Sequence, residues 1–229
     1  MLRLFALLLA LTLSGCASVS PTPESAGSVA VPGGEIRYSL AGAGPPLVLL
    51  HGGRLDRTMW DPLMPRLAAA HRILRWDARG HGASTAPASP TASAADDLLI
   101  LLDRLGIRRA TIVGYSMGGG TAVEFAIRFP ERVERLILIS TSGPPPGVPI
   151  PASAPPPLTS AEGRERLAAS GVRVTLIVGD RDSEAVRSTG EAVAAEVAGA
   201  RLVLVPGGHN VVAERPDDVA AAIIAASRR

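Results

Sequence analysis

Ala110-Thr111-Ile112-Val113-Gly114-Tyr115-Ser116-Met117-Gly118-Gly119-Gly120-Thr121 is the stretch that decides how this chain is read. An apolar run of β type ends at Gly114, a serine stands midway between Gly114 and Gly118, and a segment of helical character continues to Phe129. Strand, Gly-x-Ser-x-Gly and helix in that order describe a nucleophile elbow. On so sharp a turn, side chains two residues before and after the serine would collide, and glycine removes them. Ser116 Oγ then projects above the end of a sheet. The helix behind it offers unpaired N–H groups and a partial positive charge to an oxyanion developing near the Met117 N–H. The pentapeptide also occurs in ordinary small-residue turns, so the chain has to supply a base, an acid and a second oxyanion donor as well.

Outward from the elbow, strands and helices alternate. Val29 to Val31 and Glu35 to Leu40 read as two strands joined by the hairpin signal Pro32-Gly33-Gly34. Leu47 to Leu50 is wholly apolar and suits a strand buried on both faces. Trp60 to Ala70 reads as helical, Arg72 to Trp76 as a strand, and Ser93 to Leu105 as a helix with its stripe at Leu98, Leu101, Leu102 and Leu105. Further strands are expected at Arg135 to Ser140, Val172 to Val178 and Arg201 to Val205, and helices at Glu184 to Val197 and Pro216 to Ser227. The fold class is α/β: a mostly parallel central sheet with helices on both faces. Thr141 to Gly171 breaks the rhythm with eight prolines, and reads as an extended loop with one short helix near Ala161 to Ala169.

The chain has 229 residues, 47% of them apolar, enough for one domain with a sizeable core. All 23 basic residues are arginine, scattered along the sequence without a stripe, and the net charge is +2, so no nucleic-acid partner is expected. No metal-ligand spacing and no Gly-x-Gly-x-x-Gly after the first strand occur, so neither a metal nor a dinucleotide cofactor is expected. The N-terminus reads as a targeting segment. Arg3 is followed by the apolar run Leu4 to Leu13, too short to span a bilayer, and then by Leu13-Ser14-Gly15-Cys16. That tetrapeptide resembles the lipobox of bacterial lipoproteins. It implies a signal peptide over 1–15, lipidation of Cys16 (the one cysteine of the chain), a tether over 16–27 and a domain over 28–229. The expected location is the bacterial cell envelope outside the cytoplasm, with the chain lipid-anchored to a membrane. An ordinary secretory signal ending near Ala17 is the alternative.

Open α/β sheets place their chemistry at the carboxyl ends of the strands. The polar residues just past each expected strand are His51-Gly52-Gly53, Asp77-Ala78-Arg79-Gly80-His81-Gly82-Ala83-Ser84, Ser116, Gly179-Asp180-Arg181-Asp182 and Gly207-Gly208-His209. Together and in this order they resemble the α/β-hydrolase fold family from about Ser28 to the end. The stretch from Leu55 to Pro62, with Leu105-Gly106-Ile107 and Pro130-Glu131-Arg132-Val133, is most similar to the branch of 3-oxoadipate enol-lactonases and cofactor-free haloperoxidase-like esterases.

The resemblance implies Ser116 as nucleophile, His209 as base, and an aspartate that orients the imidazole. The residues leave Asp180 and Asp182 as candidates for that acid; the family's Gly-x-x-Asp pattern favours Asp182 and makes Asp180 a turn residue. The oxyanion hole is expected at the N–H groups of Gly53 and Met117. Many relatives carry a bulkier residue at Gly53. Candidate substrate contacts are Arg54 and Tyr115, with a solvated loop arginine as the other reading of Arg54. His51 and His81 are expected to order backbone, and His71 to lie on the surface. Relatives build a helical cap where this chain has 141–171, which reads as a much reduced lid. The implied function is a serine hydrolase of small carboxylic esters. A lactonase, another C–C or amide hydrolase of this fold, or a non-catalytic envelope binding protein are the alternatives.

Overall fold

The computed structural model describes residues 24–87, 92–143 and 155–228. The expected signal peptide, Cys16, most of the tether and the middle of the proline-rich stretch lie outside them. Eight strands form one sheet in the order β1-β2-β4-β3-β5-β6-β7-β8. β1 (Ser25–Val31) and β2 (Gly34–Ala41) are the expected hairpin, and β2 runs antiparallel to β4 (Arg72–Trp76). β3 (Pro46–Leu50), β4, β5 (Ala110–Tyr115), β6 (Val133–Ile139), β7 (Val174–Gly179) and β8 (Arg201–Val205) are parallel. β1 takes up residues 25–27, which the sequence assigned to the tether. Gly27 makes this register possible: a Cβ there would stand 2.5 Å from the Tyr38 hydroxyl on the neighbouring strand.

β5 is central and buried along its whole length, as its run Ala-Thr-Ile-Val-Gly-Tyr requires. Two cores follow from the two faces. One holds Val48, Leu50, Ile112 and Leu138 against α2 (Ala94–Arg104), α3 (Met117–Arg128), α4 (Ala161–Ala169) and α5 (Glu184–Glu196). The other holds Leu47, Leu49, Val113 and Ile137 against Trp60, α6 (Val211–Glu214) and α7 (Pro216–Arg228). Ser93 caps α2 by accepting from the N–H groups of Ala95 and Asp96.

Three expectations change. The helix expected at Trp60 to Ala70 is instead a 3₁₀ turn, Arg57–Leu63, running into the four-residue α1 (Met64–Leu67). Asp56 starts it early by accepting from Thr58 N–H, and Pro62 and Pro65 withhold two donors that a longer α-helix needs. His71 is not a surface residue: it is buried, and its Nε2 lies 2.9 Å from Ser227 Oγ on α7. The short helix expected at Ala161 to Ala169 is present with those bounds as α4, but the last half of the proline-rich stretch belongs to the covering layer and not to an extended surface loop. Leu158 and Leu167 join the first core, α4 packs on α3 and α5, and a Cβ on Gly163 would reach Pro156 O at 2.5 Å.

Candidate active site

At the elbow, backbone fills the spaces in which side chains at 114 and 118 would stand. Ser116 sits at φ 49°, ψ −112°, a left-handed conformation that a serine adopts only when its surroundings hold it there. A Cβ on Gly114 would stand 2.6 Å from Gly119 Cα, and one on Gly118 would stand 2.5 Å from His51 O and 2.7 Å from Leu50 C. The turn is tied to β6 by Ser116 N–H donating to Ile139 O at 2.9 Å. Helix α3 starts at Met117, directly after the serine, so the first-turn N–H groups point at the space around Ser116.

His209 stands on the loop after β8. Its Nε2 lies 3.2 Å from Ser116 Oγ, and its Nδ1 lies 2.9 Å and 3.2 Å from the two oxygens of Asp182. A carboxylate at Nδ1 fixes the proton there and leaves Nε2 free to accept from the serine hydroxyl. The Asp182 side chain has no exposed surface, whereas that of His209 is 48% exposed. Ser183 N–H also donates to Asp182 Oδ1, at 2.7 Å.

Asp180, the other acid candidate, faces elsewhere: it accepts from Gly207 N–H at 2.9 Å, two residues before His209. Glu214, at the end of α6, accepts from Gly208 N–H at 2.8 Å. The Tyr115 hydroxyl donates to His209 O at 3.1 Å. Three side chains thus hold the peptide links around His209. Glu214 carried no signal that sequence reading used, because a four-residue helix is too short to show a period.

Tyr115, a candidate substrate contact, thus has its hydroxyl taken up by the His209 loop. It is buried, its ring fills the place where a Cβ on Gly52 would come within 2.7 Å, and it packs at 5.6 Å from the His209 ring. Burial pushes its phenol up to about 12, and the Asp182 and Glu214 carboxylates add to that shift. Arg54 is exposed at φ 61°, and its guanidinium has no partner among the described residues.

Gly53 and Met117 border each other: a Cβ on Gly53 would lie 3.7 Å from Met117 Sδ. Neither N–H has a hydrogen-bond partner among the described residues. His51 sets this loop. Burial holds its imidazole below the usual histidine value; Nε2 accepts from Ala78 N–H at 2.9 Å, so Nδ1 carries the proton and donates to Gly52 O at 2.7 Å. His81 Nδ1 lies 3.0 Å from Arg79 O within its own turn. Asp77 anchors the same region through Arg57 and Ala83 N–H.

A family model of the alpha/beta hydrolase fold matches residues 45–165, which holds the elbow and the His51 loop. The chain belongs to the α/β-hydrolase fold family. A hydrolase from Pseudomonas aeruginosa is 30% identical, with 87% of this chain and 97% of that one covered at a TM-score of 0.74. The enol-lactonase of Burkholderia xenovorans is 26% identical, with 89% and 100% covered at 0.77. A 2-hydroxymuconate semialdehyde hydrolase of Pseudomonas is 37% identical over 128 residues, 53% of this chain and 45% of that one. This α/β hydrolase spans less than half the length of the curated relatives it matches, and 32% of three mycobacterial ones.

Proposed function

We propose that this α/β hydrolase cleaves small carboxylic esters by acyl transfer. The observation that carries the reading is the continuous path from the buried Asp182 carboxylate through the His209 imidazole to Ser116 Oγ. Ser116 Oγ attacks the ester carbonyl carbon while His209 Nε2 takes its proton. The Asp182 carboxylate stabilises the imidazolium. The carbonyl oxygen becomes an oxyanion between the N–H groups of Gly53 and Met117. Collapse expels the alkoxide, which takes the proton from His209 and leaves as the alcohol. Water then attacks the acyl-enzyme as His209 accepts its proton, and the carboxylic acid departs with Ser116 regenerated.

A lactonase is the second reading, favoured by the full-length superposition on an enol-lactonase. The same steps open a ring instead of releasing an alcohol. The tether reading places the enzyme outside the cytoplasm, held to a membrane by lipid on Cys16.

An activity-based fluorophosphonate should label the wild type and not Ser116→Ala; failure to label the wild type would remove the serine-hydrolase reading. Rates on p-nitrophenyl esters from C2 to C16, set against a lactone panel, separate the two substrates. If 141–171 is the much reduced lid that its sequence suggests, it offers a long acyl chain little apolar surface, at roughly 0.8 kcal/mol per buried methylene, and rates should fall beyond roughly six to eight carbons. A maximum at C12 or longer would mean that this segment builds a hydrophobic lid. Metabolic labelling with a fatty acid should mark the wild type and not Cys16→Ser; a wild type that starts after Ala17 without lipid would end the anchor reading.

A further inference from the structure

Arginines scattered in the sequence gather in space. Five of the six parallel strands are entered past an arginine: Arg72 at β4, Arg108 and Arg109 before β5, Arg132 before β6, Arg173 before β7 and Arg201 at β8. In the connections before those strands the one carboxylate is Glu131. Glu134 follows one residue into β6, where it pairs with Arg109 at 3.1 Å and Arg173 at 3.8 Å. Arg72, Arg108 and Arg201 have no carboxylate partner among the described residues. Helix C-termini also face this side and attract cations, which accounts for Arg104 at the end of α2. It does not account for Arg72 and Arg201, which are first residues of strands. Loops leaving the strands on the opposite face carry both signs, Asp77, Asp180 and Asp182 beside Arg54, Arg79 and Arg181.

Two further observations give this basic face an occupant. Within it an open groove of about 320 Å³ is lined by Arg135, Arg173 and Arg201 together with Val203, Ala222 and Ala226, cations beside an apolar floor. The chain also enters the sheet from this side. Ser25, the first residue of β1, pairs with Leu40 near the end of β2, and the last residue of β2, Ala41, pairs with Ile73, the second residue of β4. Ser116 lies past the other end of β5, roughly 20 Å away at about 3.3 Å per residue.

We propose that the strand-entry face docks on an anionic lipid surface, with the groove seating a phospholipid phosphate and the Ser116 site turned away from the bilayer. The proposal rests on the reading that residues 1–23 bring the chain to a membrane. Lipid and a basic face together give the two signals that stable anchoring takes.

The test is co-sedimentation of the full chain, as Cys16→Ser, with vesicles of phosphatidylcholine alone or with phosphatidylglycerol added. Binding should be much stronger with phosphatidylglycerol and weaken in about 0.5 M salt. Each arginine at an anionic surface is worth about fivefold, so Arg72→Gln/Arg108→Gln/Arg201→Gln should bind on the order of 100-fold more weakly. Arg54→Glu/Arg181→Glu, on the opposite face, should bind like the parent. Equal binding to both vesicles, an equal loss from the opposite-face pair, or binding to a DNA duplex in preference to vesicles would overturn the proposal. Thermal unfolding and fluorophosphonate labelling check that the triple variant is folded; if it is not, each single variant should show about a fivefold loss. Fatty-acid labelling of the wild type keeps the two readings apart. A lipidated chain without lipid preference removes the docking face alone, and an unlipidated chain that still selects phosphatidylglycerol removes the anchor alone.

Discussion

Ser116 and His209 stand 3.2 Å apart, yet different forces hold them. The serine sits at the end of a fully buried central strand, in a backbone conformation enforced by excluded volume on all sides. The histidine sits past an edge strand with half its side chain in solvent; Asp182 accepts from its ring, Asp180 and Glu214 accept from the N–H groups of Gly207 and Gly208, and Tyr115 donates to its carbonyl. Steric positioning is all or nothing: it fails together with the fold. Positioning by hydrogen bonds is graded, and it responds to charge and pH.

The largest expected effect joins the two halves. Ser116→Ala, His209→Ala and Asp182→Asn should each lower ester hydrolysis on the order of 10³- to 10⁶-fold without adding, because the three act as a unit. A larger loss from Asp180→Asn than from Asp182→Asn would reverse the assignment of the acid. Next come the steric positions. Gly114→Ala or Gly118→Ala places a methyl group within about 2.7 Å of backbone, and should cost roughly 2–4 kcal/mol in denaturant unfolding. A variant as stable as the wild type would show that the elbow can yield.

The third prediction concerns alkaline pH. Tyr115 titrates near 12 in the fold and near 10 when unfolded, so its contribution is complete below pH 10 and is lost as pH rises through 12. That window is worth roughly 2–3 kcal/mol. Tyr115→Phe should be less stable than wild type near neutrality and should lose less stability between pH 10 and 12. Parallel stability curves would refute the buried phenol. The smallest effect belongs to the loop carboxylates. Asp180→Ala and Glu214→Ala should each lower kcat about tenfold or less with KM nearly unchanged, and Asp180→Asn, which keeps an acceptor for Gly207 N–H, should recover most of it. A change confined to thermal stability would make these residues structural only.

Most of the sheet was legible because its strands are short, mainly apolar runs, and the residues that meet around Ser116 could be gathered from the sequence because they follow those runs. Leu47 to Leu50 and the stretch to Ser116 needed no knowledge of the rest of the chain. What failed depends on distant partners. His71 looks exposed between a helix and a strand, but α7 buries it through Ser227, 156 residues away. Tyr115 sits beside the nucleophile in sequence, yet strand alternation turns its ring under the His209 loop. Asp180 does lie in the turn after β7, as read, but the hydrogen bond it accepts from Gly207 N–H could not be read, because it exists only where β7 and β8 are neighbours. The arginines show no pattern along the chain, because the connections that carry them are brought together only by a parallel sheet.

The Gly53 position separates stability from selectivity. Gly52, Gly114, Gly118 and Gly119 are each closed to any side chain, whereas a Cβ at Gly53 meets only Met117 at ordinary van der Waals distance, and its backbone is not left-handed. A side chain at the surrounding glycines costs stability by pushing on packed neighbours. A side chain at Gly53 would meet only Met117, the residue after Ser116, without that cost. A side chain at this one position would therefore reshape the surface against Met117, next to Ser116 in the chain, with the packed scaffold left unchanged.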